Sequence, residues 1–137
     1  MTELTQGSPL PTIVKRVTQD QVQRYARASG DHNPVHLDAR FAAGTSFGRP
    51  IAHGMLSLAF LSELLAQVFG QHWLESGKLR VRFKAPVYPG EELSMQGWVT
   101  KEVRHPEYRQ LECSVTCRDK QGRDVVLGTA SVKVPLT

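Results

Sequence analysis

Gly54-Met55-Leu56-Ser57-Leu58-Ala59-Phe60-Leu61-Ser62-Glu63-Leu64-Leu65-Ala66-Gln67-Val68-Phe69 is the stretch around which the rest of the chain must be arranged. Its spacing predicts one helix over 54–69, with Gly70 as the stop. Leu56, Leu58, Ala59, Phe60, Leu61, Leu64, Leu65 and Val68 cover most of its circumference. A helix that is apolar nearly all round belongs inside a fold. Ser57, Ser62, Glu63 and Gln67 interrupt it, and it is shorter than the roughly 20 apolar residues a bilayer span needs. No membrane partner is expected.

The C-terminal half of the chain is patterned to cover this helix. Residues 79–84 alternate Leu79, Val81 and Phe83 with Arg80, Arg82 and Lys84, the period of a half-buried strand. A turn at 86–90 leads to three longer strands over 92–104, 109–118 and 125–134. Asp119-Lys120-Gln121-Gly122 reads as the hairpin turn between the last two. A sheet with one apolar face needs a cover, and a single long helix supplies it. The expected fold class is therefore α+β, a curved antiparallel sheet wrapped around a central buried helix. The 137 residues fit one domain, over 12–137.

Upstream of the helix the pattern is looser. Residues 1–11 carry Gly7, Ser8, Pro9 and Pro11 without periodicity and read as a flexible tail. A short strand is expected over 13–17. Thr18 and Gln21 then have the capping-box spacing, Val22, Tyr25, Ala26 and Ser29 follow at helical spacing, and Gly30 stops the helix. The stretch 31–50 is irregular, apart from a short helix through Arg40, Phe41 and Ala42 capped by Asp38. Long loops inside compact domains usually carry function.

The formal net charge is +4, from 17 Lys and Arg against 13 Asp and Glu. These charges are scattered rather than blocked, which argues against nucleic acid and suits a small anionic partner. Cys113 and Cys117 lie four apart in a strand pattern, about 13 Å at ~3.3 Å per residue. That is too far for a disulfide, so both read as small buried residues. With no leader pattern at the N-terminus, a reducing cytoplasmic setting is expected.

The chemistry gathers at Ser29-Gly30-Asp31-His32-Asn33-Pro34-Val35-His36. Pro34 fixes its own φ and restricts Asn33, so the turn between Asp31 and His36 is stiff. A carboxylate and an imidazole held there suit general acid–base work on a water. Asn33, both donor and acceptor, suits orienting that water or holding the loop. Equally, Asp31 could only cap the turn and His36 be a satisfied core histidine. A metal site from His32, His36 and His53 with Asp31 and Asp38 is a third reading, but the spacing matches no common zinc pattern. Gly54 falls at the start of the apolar helix, where an N–H lacks an intrahelical acceptor and can polarise a carbonyl. His53 reads as structural, bonded to loop backbone.

Three runs carry a family resemblance. Tyr-Ala-Arg-Ala-Ser-Gly-Asp-His-Asn-Pro-Val-His-Leu-Asp-Ala-Arg-Phe-Ala at 25–42 resembles the hydratase 2 motif of the MaoC-like (R)-specific enoyl-CoA hydratases and 3-hydroxyacyl dehydratases. Arg-Pro-Ile-Ala-His-Gly-Met at 49–55 and Arg-Phe-Lys-Ala-Pro-Val-Tyr-Pro-Gly-Glu-Glu-Leu at 82–93 resemble the same family. The resemblance implies a hot-dog fold, a homodimer, an acyl tunnel near the subunit interface, and a CoA or ACP thioester substrate with no metal or redox cofactor. It assigns catalysis to Asp31, His36 and Gly54 and loop support to Asn33. Leu56, Phe60, Ser62, Leu65 and the loop from Phe41 to Phe47 are candidate acyl-tunnel residues, although most of them are expected to fill the core. Arg80, Arg82, Lys84 and Arg104 are candidates for the carrier's phosphates.

The implied reaction is reversible hydration of a trans-2-enoyl thioester to a (3R)-3-hydroxyacyl thioester. An ACP-linked dehydratase of fatty-acid synthesis is the nearest alternative. A hot-dog thioesterase would need a carboxylate on the central helix, where only Glu63 stands. A non-catalytic acyl-thioester-binding module would need neither Asp31 nor His36.

Overall fold

The computed structural model describes residues 3–136. In chain order the elements are β1 (Ile13–Arg16), α1 (Gln19–Ser29), α2 (Pro34–Leu37), α3 (Ala39–Ala43), α4 (Gly54–Phe69), α5 (Gln71–Ser76), β2 (Lys78–Phe83), β3 (Glu92–Arg104), β4 (Arg109–Asp119) and β5 (Asp124–Val134). The strands form one sheet in the order β1-β3-β4-β5-β2, antiparallel throughout. The register slips between Val99 and Lys101 and between Cys117 and Arg118. Such bulges add twist and bend a sheet. This sheet curves around α4, which touches β2, β3, β4 and β5, the hot-dog arrangement.

The core follows from alternation. Leu93, Met95 and Val99 of β3, Leu111, Cys113, Val115 and Cys117 of β4, and Val126, Ala130 and Val132 of β5 are buried with Leu61, Leu64 and Leu65 of α4. Leu64→Ala would leave a cavity there and cost about 2–5 kcal/mol. Helix α4 is not buried on every side, however. Met55 is 52% exposed and Ala59 faces solvent, so the all-round apolar pattern exceeds what one chain covers.

Several elements follow local rules read from the sequence. Gln21 N–H donates to Thr18 Oγ1 and Thr18 N–H to Gln21 Oε1, both at 3.1 Å. This is the reciprocal capping box, and Gly30 closes α1 in the left-handed region. Asp38 Oδ1 accepts from Arg40 and Phe41 N–H at the start of α3. At the β4–β5 turn, Asp119 Oδ1 accepts from Gln121 and Arg123 N–H, and Oδ2 from Arg123 Nε. Burial pushes the Asp119 carboxyl up, but the bonds and charge of Arg123 and the Gln121 N–H outweigh it, so the group stays below its ordinary value.

Other features differ from the expectation. Pro34 does not merely stiffen a turn; it is the first residue of α2, with Asn33 as N-cap. Helix α5 is an addition. It buries Trp73, whose Nε1–H donates to Ser62 Oγ at 3.0 Å. A Cβ on Gly77 would fall 2.2 Å from the Trp73 ring, so only glycine fits there. Of the stretch read as a flexible tail, residues 1–2 lie outside the described residues, and residues 7–10 bond to β3: Gly7 N–H to Val99 O, Leu10 N–H to Gly97 O, and Val99 N–H to Ser8 O, each at 2.8 Å. Leu10 is a core residue. Arg109, 3% exposed, pairs with Glu102 and donates to Leu4 O and Pro135 O.

Both cysteines are free and buried. Burial pushes the Cys113 thiol up to about 11. Burial, with the nearby Asp119 charge, pushes Cys117 to about 12. Among the described residues no helix is long and apolar enough to cross a membrane.

Candidate active site

The loop between α1 and α2 is a chain of side-chain-to-backbone bonds. Ser29 Oγ accepts from Asp31 N–H, Asp31 Oδ1 from Asn33 N–H, and Asn33 Oδ1 from Val35 N–H, at 3.1, 3.1 and 3.0 Å. Each is the local bonding that short polar side chains offer in turns. The result fixes Asp31 while leaving its Oδ2 uncommitted by this chain of bonds. That oxygen lies 4.0 Å from His36 Nε2. The Asp31 side chain is 51% exposed and that of His36 only 11%.

The His36 ring is set by its other nitrogen. Nδ1 lies 2.8 Å from Ile51 O, a carbonyl that can only accept, so in the neutral ring Nδ1 carries the proton. Nε2 then presents a lone pair toward Asp31. Gln19 Nε2 donates to His36 O and ties α1 to α2 from the other side.

His53 packs beneath this pair. Its ring stacks on His36 with centroids 3.9 Å apart and 27° between planes, and Tyr25 lies behind at 4.8 Å. Its Nε2 donates to Asp31 O at 3.0 Å by the same acceptor argument. Asp31, His36 and His53 thus bring ligand-type atoms within 4.8 Å of one another. An imidazole binds a metal in its own plane, at about 2.0–2.1 Å. Two stacked rings do not converge on such a point. His32 lies apart, beside Gln23, Ala26, Arg27 and Leu37.

Gly54 begins α4, and His53 at the N-cap makes no side-chain bond to the helix. Leu56 N–H bonds back to His53 O, but the two N–H groups before it, of Gly54 and Met55, have no acceptor in the preceding turn. A Cβ on Gly54 would meet the Phe83 ring at 3.1 Å, so glycine allows β2 to bring Phe83 against the helix start. His36, Gly54, Ser57, Phe83, Val87 and Val126 are among the walls of one mainly apolar pocket of about 340 Å³. A larger concavity of about 500 Å³ around Lys78, Arg80, Glu112 and Thr129 contains none of these groups.

Asp31, His36 and Gly54 are therefore brought together, with Asn33 as the loop's cap. The acyl-tunnel candidates on α4 are not: Leu56, Phe60 and Leu65 are in the core, Ser62 takes the Trp73 indole, and none lines the pocket, whereas Phe47 of the 41–47 loop does. Of the basic candidates, Lys84 lines it. Sequence reasoning missed Ser57, Phe83 and Val126 as walls. The run 82–93 held a signal for Phe83 and Val87, since it is one of the three that carry the family resemblance.

The chain matches known proteins in both sequence and fold. A family model described as MaoC like domain matches residues 2–121. An (R)-specific enoyl-CoA hydratase of Aeromonas caviae is 37% identical over 124 residues, 90% of each chain. A 3-hydroxybutyryl-CoA dehydratase of Methylorubrum extorquens is 34% identical, over 90% of this chain and 76% of that one. Among solved structures, an unliganded R-hydratase of Pseudomonas aeruginosa superposes with a TM-score of 0.84 at 33% identity, covering 97% of this chain and 83% of the other. With relatives this similar along nearly its whole length, and the Asp–Asn–His loop facing a glycine-started helix, the chain belongs to the MaoC-like domain family.

Proposed function

We propose that this protein is an (R)-specific enoyl-CoA hydratase, a hydro-lyase acting reversibly on trans-2-enoyl thioesters. One observation carries the reading: Asp31 Oδ2 and His36 Nε2 stand 4.0 Å apart beside a pocket that also holds Gly54. That separation is too long for a direct hydrogen bond and right for one water about 2.8 Å from each.

In the proposed reaction the thioester carbonyl accepts a hydrogen bond from Gly54 N–H. Charge moves to that oxygen and C3 becomes electrophilic. The water oxygen attacks C3 as one of its protons passes to the Asp31–His36 pair. A proton from the pair returns to C2 on the same face, leaving a (3R)-3-hydroxyacyl thioester and restoring the pair. Asp31 and His36 take up and return the proton as one pair in this scheme, and no metal or redox cofactor takes part. The apolar walls of the pocket suit an acyl chain, and Lys84 at its edge suits an anionic carrier.

A second copy of the chain completes the proposed picture. Phe47 and Phe83 on the pocket wall and Met55 next to Gly54 are exposed, an apolar surface suited to a homodimer. We place the enzyme in the cytoplasm, where the two free thiols stay reduced. The thioesterase reading has less support, because Glu63 is engaged by Lys15 at 2.7 Å and lines no part of the pocket.

The test is incubation with crotonyl-CoA and longer trans-2-enoyl-CoAs. Loss of conjugated enoyl absorbance without thiol release is expected. Thiol release would establish a thioesterase, and saturable binding without either would establish a binding module. Higher kcat/KM with ACP thioesters would favour the ACP-linked dehydratase.

A further inference from the structure

We propose that His53 is a positioning residue that holds the Asp31 loop and the His36 ring in register with each other and with the start of α4. The inference rests on the hydratase reading for its kinetic consequences and on geometry alone for its structural one. His53 is 2% exposed, so its side chain works inside the protein. It is the N-cap of α4, where Ser, Thr, Asp or Asn would normally bond the helix's own N–H groups. Its ring makes no such bond. Instead Nε2–H reaches across 22 residues to Asp31 O at 3.0 Å.

The flat face of the same ring supports His36 at 3.9 Å. Its backbone carbonyl accepts from Leu56 N–H, and the preceding Ala52 N–H is bonded to Val87 O. One residue therefore touches the acid's main chain, the base's ring and the first turn of the helix. The titratable groups facing it are Asp31, His36 and Tyr25. Its Nδ1 is buried without a partner. A buried unpaired acceptor costs stability and calls for a reason. An apolar ring would avoid that cost, but it could not donate to Asp31 O. The donor at Nε2 is thus what the imidazole adds over a phenyl ring.

The contrast that tests this is His53→Gln against His53→Asn, with His53→Phe as the shape control. A glutamine amide reaches the position of Nε2, whereas an asparagine amide falls short of it. With crotonyl-CoA, His53→Gln should keep kcat within about tenfold of wild type and His53→Asn should fall at least tenfold below His53→Gln, with KM moving less than about threefold in both. His53→Phe should lose at least tenfold in kcat while its Tm stays at or above that of His53→Asn. Equal kcat in the Gln and Asn variants, or a loss confined to KM, would overturn the proposal. Hydrogen exchange of the His36 amide, bonded to Asn33 O at 3.0 Å, reads the same geometry without turnover. It should speed up at least tenfold in His53→Asn relative to His53→Gln. Unchanged exchange would overturn the positioning role even if the wild type proved inactive on enoyl thioesters, a result that would instead count against the hydratase reading.

Discussion

At the start of α1, Thr18 and Gln21 exchange hydrogen bonds and close the helix end on itself. At the start of α4, His53 supplies no side-chain acceptor, glycine follows, and the end opens onto an apolar pocket. The two aspartates that organise turns differ in the same way. Asp119 spends both oxygens, on two N–H groups and a guanidinium. Asp31 spends Oδ1 on Asn33 N–H and leaves Oδ2 to face His36 at 4.0 Å. Closed ends stabilise the fold. The open ones give up that stabilisation, and the unsatisfied donors and acceptors are what a substrate and a water can use.

Breaking the open side should cost activity and spare the fold. Asp31→Asn and His36→Ala should each lower kcat by about a hundred- to ten-thousand-fold, with circular dichroism and Tm close to wild type. Rates near wild type in either would remove the acid–base assignment. Gly54→Pro comes next. Proline is at home at the first helical position but lacks the N–H, so kcat should drop by about a hundred- to a thousandfold. Gly54→Ala is its control. It keeps the N–H and adds only a Cβ, 3.1 Å from a Phe83 ring that must shift slightly. It should lose much less.

Breaking the closed side should do the reverse. Asp119→Asn should lower the unfolding free energy by about 1–3 kcal/mol near neutral pH, as loss of buried bonds to a charged group does. Because the folded carboxyl sits below its ordinary value, this stabilisation is present above about pH 4 and is lost as the pH falls through the lowered value. Urea titrations of both proteins should therefore converge on acidification. The smallest effect belongs to Thr18→Ala, about 1 kcal/mol of stability with kcat unchanged. A change in kcat there would mean that the two helix starts are coupled.

The features visible in the sequence were those set by neighbours along the chain. The capping box, the limits of α4, the strand alternation and the Asp31–Asn33–His36 spacing all depend on contacts within a few residues. Helix α2 was harder to see because Asn33 and Pro34 serve equally well as a turn or as the start of a helix. Helix α5 and the pairing of Gly7 to Leu10 with β3 depend on partners tens of residues away. The pocket shows the same limit. Gly54 could be placed by its position at a helix start, but helical spacing alone did not say that Ser57 faces the pocket while Phe60, Ser62 and Leu65 face the core and Trp73.

Arg109 carries one more consequence. Its guanidinium takes the carbonyls of Leu4 and Pro135 together, so residues near opposite ends of the sequence sit within the span of a single side chain. A linker of a few residues would join them. The polypeptide could then be reopened at the exposed Pro106–Glu107 turn. This circular permutant would carry its new termini between β3 and β4, with Asp31, His36 and Gly54 on uninterrupted chain.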